Sequence, residues 1–248
     1  MTDGTIHGKL SFASGDESAL YARAAEYAHE ETASRQPLSR RRVEAGACTL
    51  KRSVDVIGAL VGIALFGPLM LVIAALLLTT EKGGALFAHK RIGRGGKPFR
   101  CLKFRTMVPD AQEKLARLLE TDAEARAEWA RDQKLRNDPR VTRLGAFLRR
   151  TSLDELPQFF NVLKGDMSLV GPRPIVADEI ARYGDRFALY AKCRPGITGI
   201  WQVSGRNDTS YAYRVRLDAH YALNQTLPLD VAIMLKTFGV VVSGDGAS

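Results

Sequence analysis

The chain has 248 residues, 46% hydrophobic and 25% charged, enough for one sizeable domain with extensions or for two small ones. Its 36 Lys+Arg against 27 Asp+Glu give a formal charge of +9, which favours anionic partners (nucleic acid, acidic headgroups or phosphorylated small molecules) without choosing among them. The three cysteines, Cys48, Cys101 and Cys193, are odd in number, widely spaced and form no C-x-x-C pair, which argues against a disulfide framework and a zinc site and fits a reducing compartment.

Residues 1–50 mix Gly, Ser, Glu and Arg with few large apolar residues and read as a mobile basic extension with a short helical stretch at 19–30. The first nine residues lack a basic start followed by an apolar core, and the hydrophobic run begins too late for a cleaved signal, so the polar domain is expected to stay unexported. No charge falls between Val56 and Thr80. As a helix that stretch would reach about 37 Å, more than a hydrocarbon core of about 30 Å. Two features argue against a simple crossing. Gly67-Pro68 stands mid-segment, where proline removes a backbone donor and clashes with the preceding turn. Lys51 and Arg52 precede the segment and Lys82, His89, Lys90 and Arg91 follow it, so positive charge draws both ends to the cytoplasm. The expectation is a re-entrant helix-break-helix hairpin over 51–82, with Asp55 near the headgroups and paired to Lys51 or Arg52; a kinked spanning helix is the alternative.

Residues 85–107 read as two extended stretches around Gly93-Arg94-Gly95-Gly96, a β-hairpin. Pro98 follows Gly96-Lys97 where a phosphate-binding P-loop needs Ser or Thr, so a turn is the better reading. A charged amphipathic helix is expected over 110–135, stopped by Asn137-Asp138-Pro139, then helices over 140–150 and from about Ser152. Pro172 and Pro174 mark a rigid loop, 178–191 looks helical, 194–207 is rich in turns, and two helices close the chain. The last, about 229–242, is apolar except for Asp230 and Lys236, suited to a membrane interface or to the core.

The chemistry concentrates at Thr151-Ser152-Leu153-Asp154-Glu155-Leu156-Pro157-Gln158, two adjacent carboxylates behind Arg143, Arg149 and Arg150. Ser152-x-x-Glu155 fits a capping box, with Asp154 favouring the positive helix end. The same residues also suit a phosphate held by the helix terminus and arginines, with the Asp154 carboxylate attacking phosphorus or holding a metal. Planar, bidentate arginines recur in stiff loops at Arg173, Arg194 and Arg206, the last beside Asn207. No H-x-x-x-H, G-x-S-x-G or RRM signature is present, which weakens hydrolase and RNA-binding readings.

These motifs in this order resemble the bacterial sugar transferases of the monotopic phosphoglycosyl transferase superfamily. The resemblance runs from about residue 50 to 248 through Lys51-Arg52-x-x-Asp55, Lys103-Phe104-Arg105-Thr106-Met107, Asn137-Asp138-Pro139-Arg140, the Asp154-Glu155 segment, Gly171-Pro172-Arg173-Pro174, and Arg194-Pro195-Gly196 through Gly205-Arg206. It implies an α+β, predominantly helical monotopic membrane protein with a re-entrant hairpin, a small β-hairpin and interfacial amphipathic helices, its 83–248 portion forming a catalytic domain at the cytosolic face of the bacterial inner membrane. It further implies transfer of a hexose-1-phosphate (galactose or glucose) from a UDP-sugar to undecaprenyl phosphate as the first membrane step of exopolysaccharide synthesis. UMP leaves, and Asp154 carries the phosphosugar covalently. Glu155 is its partner, and Mg²⁺ held at Asp154 and Glu155 offsets phosphate charge. By the same resemblance Lys103, Arg105, Arg149, Arg173, Arg194, Arg206 and Asn207 surround the substrate phosphates and nucleotide. Downstream glycosyltransferases become possible partners, while nucleic acid does not. The chain departs from the family's common pattern at Gly67, where Ser is usual, at Gly83-Gly84, and at His89-Lys90. The competing reading is a non-catalytic membrane adaptor that recruits polysaccharide-assembly partners through its basic face.

Overall fold

The computed structural model describes residues 38–132, 135–204 and 210–243. The expected helical stretch at 19–30 lies outside them. Helix α1, Leu38–Thr80, takes up the end of the expected extension and the whole apolar segment, and its Thr49–Thr80 portion is long and apolar enough to cross a membrane. The chain does not break at Pro68, which sits inside this one helix. Proline costs one ladder hydrogen bond, and a preceding glycine has no Cβ to collide with the proline ring. Gly67 has no packing reason to be glycine, since a Cβ there would meet nothing within 4 Å, so its value is local.

One face of α1 docks onto the rest of the chain on both sides of Pro68. Before it, Lys51 Nζ donates to Asp230 Oδ2 at 2.7 Å and to the Val170 carbonyl at 3.1 Å. Arg52 donates to the carbonyls of Val162 and Leu163. Asp55 is buried and accepts from Ser168 Oγ at 2.8 Å and Leu169 N at 3.0 Å, so it is a core anchor and not a headgroup residue. Its contact with Lys51 is the looser one, 3.9 Å. Gly58 and Gly62 admit the Leu169 and Phe159 side chains, which a Cβ would strike at 2.5 and 2.7 Å. After Pro68, Met70, Ile73 and Leu77 are buried with Ala85, Phe104 and Leu148. The opposite face leaves Leu65 68% and Leu71 73% exposed, far more apolar surface than water-facing helices carry.

Strands β1, Leu86–Ile92, and β2, Pro98–Phe104, pair antiparallel as the expected hairpin, with Gly95 at φ 70° in its turn. The single helix expected over 110–135 is two, α2 Ala111–Thr121 and α3 Ala123–Asp132. Asp122 divides them: its amide closes the first helix on the Leu118 carbonyl, while its carboxylate accepts from the amides of Glu124 and Ala125 at the start of the second. Helix α4 covers Arg143–Arg150, capped by Thr142 accepting from Gly145 N, and a 3₁₀ turn, Leu153–Glu155, leads to α5, Gln158–Lys164.

Strand β3, Ser168–Val170, for which no element was expected, then pairs in parallel with β4, Gly196–Thr198, inside the stretch expected to be rich in turns. Gly171 and Gly196 make this possible, because a Cβ on either would run into the other's backbone. Between the two strands, the expected helix over 178–191 is fragmented into α6, Ile180–Tyr183, and α7, Phe187–Lys192, by Gly184 at φ 49°. Helices α8, Tyr211–Asn224, and α9, Leu227–Ser243, close the fold as expected. Helix α9 contributes to the core, with Ile233 buried and Asp230 anchoring Lys51 and Tyr221, while Val231, Leu235 and Phe238 are exposed. Cys101 and Cys193 are free and buried, and burial pushes both thiols up to about 11.

Candidate active site

Ser152 turns the chain from α4 into the Asp154 turn. It is the one non-glycine residue with positive φ among the described residues, at φ 57° and ψ 15°, and its side chain makes no capping bond. The expected capping box is therefore absent: a left-handed Ser152 cannot present its hydroxyl to the next turn, and the Glu155 carboxylate is engaged elsewhere. Leu153 and Leu156, flanking the two acids, pack into the Met70–Leu77 cluster of α1. The carboxylate pair is thereby fastened to the apolar helix by its own neighbours.

Asp154 is 7% exposed. Lys103, at the end of β2, reaches it from the hairpin: its Nζ lies 2.6 Å from Glu155 Oε1 and 3.6 Å from Asp154 Oδ2. Burial works to depress the Lys103 ammonium, but Glu155 and Asp154 outweigh it and leave the group raised. Burial raises the Asp154 carboxyl above the ordinary range; Lys103 and Arg149 pull it down, and Glu155 adds to the rise. Arg149 is oriented by donating from Nε to Thr106 Oγ1 at 2.9 Å, and Thr106 is itself buried. Next to it, Arg140 grips both oxygens of Asp138, at 2.7 and 2.6 Å. The Asn137-Asp138-Pro139-Arg140 motif thus braces the edge of the site.

Arg173 belongs to the same field: its guanidinium lies 4.9 Å from the Trp201 ring centre, and its charge is felt at Lys103 and Arg91. Two of the expected phosphate ligands each hold a backbone carbonyl through Nε: Arg105 donates to Gly84, just before the hairpin, and Arg194 to Gly165 at the end of α5. Arg206 and Asn207 lie outside the described residues. Arg91 and His89, counted in the sequence only as flanking charge, lie beside this group of residues. The available signal was strand alternation, which puts Phe87, His89 and Arg91 on the hairpin face that also carries Lys103.

Among the described residues no three His, Cys, Asp or Glu side chains gather as a metal cage. Two adjacent carboxylates nevertheless suit Mg²⁺, which binds through one or two carboxylates, waters and the substrate's own phosphates. A cation there would compete with the Lys103 ammonium for Glu155.

The family model for bacterial sugar transferases matches residues 46–244. The chain belongs to this family. It is 54% identical over 198 residues to the undecaprenyl-phosphate galactose phosphotransferase of Salmonella typhimurium, covering 80% of this chain and 41% of that protein. A UDP-galactose-lipid carrier transferase of Erwinia amylovora is 52% identical over 198 residues, with 80% and 41% covered. The exopolysaccharide production protein ExoY of Rhizobium meliloti is 48% identical over 197 residues, with 79% and 87% covered. The chain thus spans about two fifths of the longer relatives and most of the length of ExoY.

Proposed function

We propose that this sugar transferase moves a hexose-1-phosphate, galactose first among candidates, from a UDP-sugar to undecaprenyl phosphate and so begins an exopolysaccharide. The observation that carries the reading is a buried carboxylate, Asp154, flanked by Lys103 and Arg149 and anchored by Leu153 and Leu156 to an apolar helix. The names of similar proteins supply galactose and the lipid carrier.

The chemistry follows from that placement. One Asp154 oxygen attacks the β-phosphorus, forming a P–O bond while the bond from that phosphorus to the bridging oxygen breaks. The electron pair leaves on UMP. An oxygen of the lipid phosphate then attacks the same phosphorus and the carboxylate departs, giving a lipid diphosphate sugar. Lys103, Arg149 and Arg173 hold negative charge that would otherwise repel the attacking carboxylate. Mg²⁺ held by Asp154 and Glu155 would supply further neutralisation of the diphosphate. An adaptor role is not favoured, since recruitment through a basic face has no use for a buried carboxylate between cations. Protein in membranes, given UDP-galactose and undecaprenyl phosphate, should release UMP and form the lipid product. No product across a panel of UDP-hexoses would overturn the reading.

The same proposal lays α1 in the cytoplasmic leaflet of the inner membrane, bent at Pro68 without breaking, so that both of its ends stay at one face. What supports it is the docking of one polar domain on α1 both before and after Pro68. A helix crossing upright would carry half of those contacts into the bilayer. Cys48 and Cys101 bracket the segment, so with Cys193 replaced an impermeant maleimide outside intact cells should label neither, whereas labelling of Cys48 alone would mean that α1 crosses. Because Cys101 is buried, a permeabilised control with mild denaturant establishes that both thiols are reactive once reached.

A further inference from the structure

The hairpin register sets Phe87 opposite Lys103, His89 opposite Cys101 and Arg91 opposite Phe99. These six side chains share one face. His89 therefore stands between two cations, about 7 Å along its strand from Arg91 and diagonal to Lys103. Lys103 leads to the Asp154–Glu155 pair, whereas Arg91 leads to the 172–174 loop, where its Nη1 donates to the Pro174 carbonyl at 3.4 Å and approaches Glu179 at 3.8 Å. The charge of Arg173 also bears on both cations. Glu179 faces this end, and it is shared with Arg214 at 3.6 Å and the Tyr211 hydroxyl at 3.2 Å. A half-buried imidazole thus lies between Arg91 and Lys103, each paired with acid at its far end, Glu179 for Arg91 and the Asp154–Glu155 pair for Lys103, while Arg173 adds positive charge to both, so an anion can be met on this face. The same face continues through Lys103 to the proposed nucleophile.

We propose that His89 is a contact for a substrate phosphate and takes up a proton from solvent as that anion binds. This rests on the function proposed above. In the free site, burial, then Arg91 and Lys103, hold the imidazole down at about 4 against the opposing pull of Glu179, so it is neutral at pH 7. A bound phosphate reverses the local field and favours the imidazolium. The histidine then becomes a third cation only when there is negative charge to meet. A permanently charged residue at that position would repel Arg91 and Lys103 in the empty site. The linked proton makes affinity rise as pH falls from the bound-state value toward about 4 and level off below it.

Binding in nanodiscs at pH 5 to 8 tests this, using full-length Asp154→Asn protein so that donor is bound but not consumed. UDP-galactose is one ligand, and a short-chain prenyl phosphate is the other. UDP-galactose should bind more weakly as pH rises, by up to tenfold per unit, the limit for one linked proton. His89→Gln in the same background should flatten that slope, and His89→Lys should bind without a slope. A slope removed by His89→Gln for the prenyl phosphate alone would assign the contact to the acceptor instead. Equal slopes with and without His89, or none in its presence, overturn the proposal. If the ligands bind and wild type releases UMP, such a result leaves the enzymatic reading standing. If no ligand binds and no UMP forms, both fall together.

Discussion

Asp154→Asn should abolish UMP release, by roughly 10³-fold or more, as expected when a covalent nucleophile is removed. Wild-type protein mixed with UDP-galactose alone should give one burst of UMP per active site, and the variant none. Undiminished turnover in the variant would sink the assignment. The same substitution should leave the protein more stable at neutral pH. The Asp154 carboxyl is raised by burial, so its favourable contribution is fully present below the ordinary Asp range, near 3.8, and is lost as pH rises through the folded-state value. Asparagine imitates the protonated form and lacks that loss. Thermal denaturation should show a higher Tm for the variant at pH 7 and a difference that closes below pH 4. The ionised acid that chemistry requires is thus held at a cost to the fold. Activity should accordingly rise as pH increases through the raised Asp154 value.

Lys103→Met should reduce kcat/KM by about 10²-fold or more, the scale expected for losing a charged group aimed at the reacting centre. Methionine preserves most of the stem packing, so the loss reports charge. Two effects combine. The diphosphate loses an ammonium, and Asp154 loses the strongest influence opposing its rise. The acid limb of the pH–rate profile should therefore move to higher pH, a displacement that a purely structural lysine would not produce. A uniform drop in rate with an unmoved limb would show that Lys103 serves binding alone. Lys103→Arg should recover part of the rate, since the charge returns in a different geometry.

The local pattern was legible wherever neighbours in sequence set the outcome. The hairpin around Gly93–Gly96, the two closing helices and the apolar run follow from turn chemistry and hydrophobic pattern, and the Asp154-Glu155 motif with its upstream arginines marked the candidate site. Proline at 68 announced a perturbation, but its size depends on whether the helix on either side is held by packing, and here Gly58, Gly62, Met70, Ile73 and Leu77 hold it. What the sequence left open at Arg105 and Arg194 is how they are held: each donates from Nε to a backbone carbonyl, that of Gly84 and that of Gly165, which fixes the side chain without using its terminal NH groups.

Only the tertiary structure decided that Asp55 is a core anchor, that β3 and β4 meet through Gly171 and Gly196, and that Lys103 closes on two acids some fifty residues along the chain. Long-range pairings leave no periodic trace, because each depends on where two distant segments are brought by everything packed between them. The apolar segment shows both sides of this. Its length, composition and flanking charge were written in the residues from 51 to 82. That one polar domain grips it on both sides of Pro68 emerges only when β3, α5, the Leu153–Glu155 turn and α9 are assembled against it.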